Sequence, residues 1–261
     1  MNAESESINI VDVGARGGLN IKLNSSNFLI NKFLFEPDKE ECKKLQMQTK
    51  DQAGVTSYIF PTGLGSREES RPLFITNDPA CSSIYEPIDE LSQKYTELNC
   101  IKSVGQEIVH LTTLDIWSKE IGIQYIDYLK LDTQGSELDI LKGGVEILDQ
   151  TSLIEIEVEF SEIYHGQPLF ADIDIFMRSK GFFLWRLNNL VHYSDLEFPT
   201  ECQIDRFYNS IKFSGAEPGG RLYWGHAYYL NPKSFVHNEV RAAKLTQITK
   251  FLGMNDFKAS I

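Results

Sequence analysis

Carboxylates stand at five positions where their type and surroundings suit chemistry. They are Asp12 in "VDVGARGG", Glu36 in "FLFEPD", Asp132 in "LKLDTQGSE", and Glu157 and Glu159 in "IEIEVEF". A carboxylate ending a buried strand can accept hydrogen bonds from two ligand hydroxyls or face a ligand's positive charge. In "IEIEVEF" the alternation of a strand puts Ile154, Ile156, Val158 and Phe160 on one face and Glu155, Glu157 and Glu159 on the other. Three carboxylates on one face of a buried strand need partners or a wet cleft. If this strand lies beside the one ending at Asp132, Glu157 and Glu159 come near it. Crowded carboxylates raise each other's pKa, which suits a general base. The same oxygens could hold a divalent cation, or hydrogen-bond to nearby loops. Just beyond, His165 in "SEIYHGQPLF" sits on a loop at the same edge, where it could take a proton from an alcohol or be a plain surface residue. His110, His192, His226 and His237 have no comparable setting, and His226 in "YWGHAYY" reads as structural.

The glycine loop that follows the first strand narrows the ligand. It reads Asp12-x-Gly14-Ala15-Arg16-Gly17-Gly18, which departs from the G-x-G-x-x-G dinucleotide fingerprint. It is closer to the acidic-x-G-x-x-x-G loop of S-adenosylmethionine (SAM) enzymes, in which glycines let the chain pass close to the ligand and the acid faces its charged end. Glu36 follows 22 residues after Gly14. A carboxylate at the tip of the second strand, ~20 residues beyond the glycines, is placed to accept both hydroxyls of an adenosine ribose; the plainer alternative is a polar strand end. Pro37 then turns the chain and Asp38 caps a helix. Asp132 could face the charged end of the ligand or the reacting group, or, like Ser136, simply cap the next helix.

The elements that must position these residues are short, apolar, β-branched runs: 8–13, 32–36, 55–60, 125–131, 153–160, 182–187 and 222–230. Helical patterns lie between them at 38–50, 136–148, 170–180 and 233–252. Alternating strands and helices predict an α/β, doubly wound, mainly parallel sheet in a single domain, 1–261. Residues 61–112 are richer in turn formers and read as an irregular insertion over the sheet's carboxyl edge.

Composition sets the class. With 42% apolar residues the chain can bury a sizeable core. A net charge of −12 repels phosphate backbones, so nucleic acid is a poor partner. No apolar run is long enough to span a bilayer, and the polar start MNAESES is unlike a secretion signal. Cys42, Cys81, Cys100 and Cys202 form no C-x-x-C pair and suit a reducing cytoplasm.

The segments "VDVGARGGL", "FLFEPDKEECKKL", "NDPACSSIYEP", "LTTLDIW", "IDYLKLDTQGSELDILKGG", "IEIEVEFSEIYHGQPLFADIDIFMRSKGF" and "LYWGHAYYL", in this order over about 8–230, resemble the FkbM-type SAM-dependent methyltransferases. The resemblance implies a class I, Rossmann-like methyltransferase fold with seven strands, the last antiparallel. It implies that Asp12, Gly14 and Gly18 form the SAM loop, with Ala15, Arg16 and Pro37 beside the ligand, and that Glu36 holds the ribose. It implies O-methylation of a hydroxyl on a sugar, glycan or related natural product. Two positions depart from the family pattern. Arg16 replaces an expected Asn and could meet the methionine carboxylate or an acidic substrate. "GLGSREE" places Gly65 and Ser66 where an acid usually recognises the adenine amine. The helix that often precedes the first strand is not expected. Asp132 and the insertion would align the acceptor, and His165, Glu157 or Glu159 would take its proton. The rival readings are a non-catalytic SAM-binding module and an NAD-linked oxidoreductase.

Overall fold

A computed structural model describes residues 7–19, 28–49, 53–194 and 201–259. Residues 1–6 of the polar start, and position 50 of the expected first helix, lie outside this set. In chain order the elements begin with β1 (Ser7–Val13), β2 (Leu29–Phe35), α1 (Lys39–Gln48) and β3 (Val55–Phe60). Next come β4 (Gly63–Leu64), β5 (Glu69–Thr76), α2 (Asp89–Lys94), β6 (Ser103–Thr112), α3 (Leu114–Ile121), β7 (Ile126–Leu131), α4 (Glu137–Lys142) and α5 (Val145–Leu148). The rest are β8 (Thr151–Glu159), α6 (Phe170–Ser179), β9 (Phe183–Tyr193), β10 (Glu201–Tyr208), β11 (Ile211–Pro218), β12 (Arg221–Leu230), α7 (Pro232–Phe235) and α8 (Glu239–Phe251).

Seven strands form one sheet in the order β3-β2-β1-β7-β8-β12-β9. The first five run parallel, and β12 lies antiparallel between β8 and β9. This is the class I methyltransferase topology, with the order reversing beside β1, where ligands of open α/β sheets bind. One face carries Val11, Val13, Phe35, Leu131, Ile156 and Val158 against the apolar sides of α3, α4, α5 and α6. The other packs Ile8, Ile10, Ile30, Tyr128 and Leu153 under α7 and α8. Helix α8 covers only the amino-terminal half of that face. Toward the carboxyl edge the same face turns polar, with Asp12, Lys130, Glu155 and Glu157 in adjacent register.

Three expectations need correction. The insertion is not irregular: β4, β6 and β5 form a second, three-stranded sheet, with β5 and β6 paired antiparallel over nearly their whole length. Its strands expose much of their surface, so they lack the continuous apolar run that marks the central strands. The helix expected over 136–148 is two, α4 and α5, separated by Gly143 and Gly144. The break has a packing cause, because a Cβ on Gly143 would overlap the Gly65 carbonyl and one on Gly144 would press on Leu114. The last expected helix is likewise split into α7 and α8, where His237 has a positive φ of 73°.

The carboxyl ends of β2 and β3 rest on an aromatic cluster. Trp117 of α3 is buried and lies edge-on to Phe33, Phe35 and Phe60, with ring centroids 5.4, 5.0 and 5.8 Å away. Replacing Trp117 with Ala is expected to lower unfolding free energy by about 3–5 kcal/mol, read as a lower denaturant midpoint.

Candidate active site

The glycine loop is shaped by close approach. Gly14 adopts φ +80°, and a Cβ there would overlap the backbone carbonyl of Asp132. Its N–H and that of Ala15 both donate to the Phe35 carbonyl, at 3.1 and 3.0 Å, while Asp132 N–H donates to Val13 O at 3.1 Å. The ends of β2, β1 and β7 are thus tied side by side. Ala15 is buried against Leu34 and Leu45, and Gly18 turns back to Ala15 O at 2.8 Å.

Glu36 stands at the tip of β2, 4% exposed, accepting from Asp38 N at 2.9 Å. Burial pushes its carboxyl up, opposed by that amide and by Arg16. Arg16 reaches Asp38 at 2.7 Å, Glu41 at 3.4 Å and Glu36 at 3.8 Å. Its guanidinium therefore sits among the carboxylates of this corner, with α1 fixing two of them: Asp38 caps α1 through Glu40 N and Glu41 N.

Across the loop, Asp132 accepts from Lys130 Nζ at 2.8 Å and from Gln134 Nε2 at 3.2 Å. Burial raises the Asp132 carboxyl, but Lys130 and other neighbours such as His226 together outweigh it and hold the group below its ordinary range. The Gln134 amide also donates to Glu157 Oε2 at 2.6 Å. Glu157 and Glu159 are both buried, and burial drives both carboxyls well up; for Glu157 the neighbouring Asp132 adds to it, and for Glu159 the nearby Glu137 does. Asp12 lies behind the loop, 2% exposed, with Oδ1 unpartnered among the described residues and Lys130 Nζ 3.9 Å away. Burial carries its carboxyl to about 7. Among the described residues, no group of three or more His, Cys, Asp or Glu side chains is arranged to hold a metal ion.

A cavity of about 220 Å³ opens at this edge. The glycine loop, the tip of β2, the segment Thr62 to Leu64 after β3, and Asp132 form one wall, and β5 and β6 close it with Leu73, Ile75, Val109 and Leu111. Four carboxylates line it (Glu36, Asp38, Glu107 and Asp132) against one guanidinium, Arg16. Pro37 and Gly14 are in the lining too. Gly65 and Ser66 are not: Gly65 is buried against Leu111 and Gly143, and Ser66 is exposed, whereas Thr62, Gly63 and Leu64 face the space.

The loop after β8 turns by one residue from the expected arrangement. Gln167 Oε1 accepts from Ile163 N and Tyr164 N, at 2.8 and 2.6 Å. This buries Tyr164, whose hydroxyl donates toward Cys81 O and Gln134 Oε1 at 2.8 and 3.0 Å. His165 is left exposed, outside the cavity lining, with its N–H on Glu86 O at 2.8 Å. Sequence reasoning missed Gln134, Tyr164 and Glu137, whose carboxylate accepts from Thr133 N and Gly135 N at 2.6 and 3.0 Å and holds the loop that bears Asp132. An acid five residues after Asp132, at the start of a helix, was the available signal for Glu137. His226 is not isolated either; its Nδ1 lies 3.0 Å from Glu155, which also takes the Tyr128 hydroxyl.

The sequence model of the FkbM methyltransferase domain matches residues 12–184. The 2-O-methyltransferase NoeI of Sinorhizobium fredii is 37% identical over 94 residues, 36% of this chain and 37% of that protein. The crystal structure of an FkbM methyltransferase from Methylobacillus flagellatus aligns with a TM-score of 0.41 at 15% identity, over 87% of this chain and 44% of that one. The SAM-bound magnesium protoporphyrin IX methyltransferase of Synechocystis aligns with a TM-score of 0.41 at 11% identity, over 88% of this chain and 72% of that one. The chain thus spans less than half the length of the first two of these relatives.

The raised Asp12 carboxyl sets a pH dependence. The folded chain holds this proton more tightly than the unfolded one, so its contribution to stability is full below 3.8 and is lost as pH rises through about 7. Glu36, Glu137, Glu157 and Glu159, also raised, act in the same direction. In thermal unfolding from about pH 4 to about pH 7, Asp12→Asn is expected to show a smaller fall in midpoint than the wild type.

Proposed function

The chain belongs to the FkbM methyltransferase family, and from that membership we propose that it transfers a methyl group from SAM to a hydroxyl oxygen of a sugar, glycan or related natural product. The observation that carries this reading is the cavity itself. It sits where the sheet order reverses, with a glycine too close to its neighbour for any side chain on one side and a buried carboxylate on the other.

These residues fit SAM. Glu36, buried at the strand tip, is the group to take the ribose hydroxyls; its Oε1 already accepts from Asp38 N and the carboxylate has further lone pairs to offer. Gly14 gives the methionine portion a path along bare backbone. Leu64, Ile75 and Leu111 offer apolar surface to a purine, and Asp132 faces the positive end. When bound, SAM supplies a methyl group made electrophilic by a sulfonium. The excess of carboxylates over Arg16 suits that charge.

The protein's remaining tasks are alignment and proton removal. Asp132, open to the cavity and kept ionised by Lys130, is the group that meets the acceptor hydroxyl, with Glu157 and Glu159 behind it. The NoeI similarity supports oxygen as the acceptor atom.

Two experiments test the reading. By calorimetry, Glu36→Ala is expected to weaken SAM binding about 10- to 100-fold; equal affinity in both proteins contradicts the ribose assignment. Mass spectrometry of a glycan and small-molecule pool, incubated with methyl-labelled SAM, is expected to show a gain of one methyl on a hydroxyl. Binding of SAM with no product in any pool would instead favour a non-catalytic module.

A further inference from the structure

The backbone of Gln134, at the cavity wall, has φ 60°. L residues other than Asn, Asp and His rarely take up this left-handed conformation. Backbone outliers of this kind persist where their surroundings enforce them, and they collect at working sites. Here the Ser83 hydroxyl donates to Gln134 O at 2.6 Å. The side chain makes three contacts at once. Its Nε2 donates to Glu157 at 2.6 Å and to Asp132 at 3.2 Å, and its Oε1 accepts from Tyr164 at 3.0 Å.

We propose that Gln134 is the positioning residue of the transfer: its amide bridges Asp132 and Glu157 and holds Asp132 turned to the acceptor. The proposal rests on the methyl-transfer reading above. Buried Glu157 keeps the proton, and Lys130 keeps the charge on Asp132, against the pull of burial. Asp12, Glu137, Glu159, His226, Tyr164 and Cys81 are the other titratable groups around the pair. In the reaction the acceptor oxygen gains the methyl carbon, and the electron pair of the broken carbon–sulfur bond stays on sulfur. The acceptor's proton passes to Asp132, which Gln134 holds in line.

The test compares wild type, Q134G, Q134N and E157Q. Infrared spectra read the C=O band of protonated carboxyls, thermal unfolding reads stability, and calorimetry reads SAM binding. Methyl transfer is followed from labelled SAM to a pool of methyl glycosides and short oligosaccharides. E157Q should remove one protonated-carboxyl band. Q134G and Q134N should shift that band and slow transfer about 10- to 100-fold, with SAM affinity close to wild type. Q134G accommodates the left-handed φ but leaves Glu157 and Tyr164 without the amide, so a modest fall in melting is expected, smaller than the loss of transfer. A merely structural Gln134 gives the opposite pattern: an unshifted band, or transfer lost only in step with stability. Either result overturns the proposal. If the wild type methylates nothing in the pool, the methyl-transfer reading fails, and the band alone decides the bridge: a shift supports it and no shift overturns it.

Discussion

Where β1 ends, the chain passes so close to the Asp132 carbonyl that a side chain on Gly14 would have no room. The rest of the site depends on that approach. Gly14 and Ala15 give their N–H groups to Phe35, and Asp132 gives its own to Val13, so three strand ends are locked in one plane. Glu36 follows directly from one of these ends and Asp132 from another. Their separation across the glycine loop is therefore a property of the backbone, not of flexible side chains. The loop bearing Asp132 is held in turn by Glu137, which binds its amides, and by Gln134, which binds its carboxylate.

Charge is concentrated at this edge at some expense to the fold. Buried carboxyls at 12, 36, 157 and 159 all lie above their ordinary range because burial disfavours the ionised form. Stability comes from elsewhere: the apolar face under α3 to α6, and the opposite face under α7 and α8. Lys130 and Arg16 divide the remaining charge. Lys130 stands between Asp12 and Asp132, and Arg16 ties Asp38 and Glu41 together beside Glu36.

The innermost strands β1, β7 and β8 could be read from sequence because they are buried on both faces and so form largely apolar runs; all nine residues of β8 are buried. Glu36 was readable as a strand tip, since it directly follows the apolar end of β2. The small sheet was not readable. β6 shows one side to the cavity and the other to solvent, and its Val104 and Ile108 are exposed, so neither run length nor burial pattern announces a strand. The β10–β11 hairpin was missed likewise, with Phe207 and Phe213 exposed. In the loop after β8 the structure buries Tyr164 and leaves His165 exposed, because Gln167 decides which of the two turns inward. Gln134 had no local signal at all. Its distant contacts come from Ser83, from β8 and from the loop after it, and they require a backbone conformation that a glutamine's sequence context does not declare.

The most direct test of the account is a crystal structure of the protein with S-adenosylhomocysteine. The account predicts the ribose hydroxyls on the Glu36 carboxylate, the purine against Leu64, Ile75 and Leu111, and the amino-acid portion running past Gly14 toward Asp132. A nucleoside bound elsewhere, with Glu36 still engaged solely by Asp38 and Arg16, would contradict it.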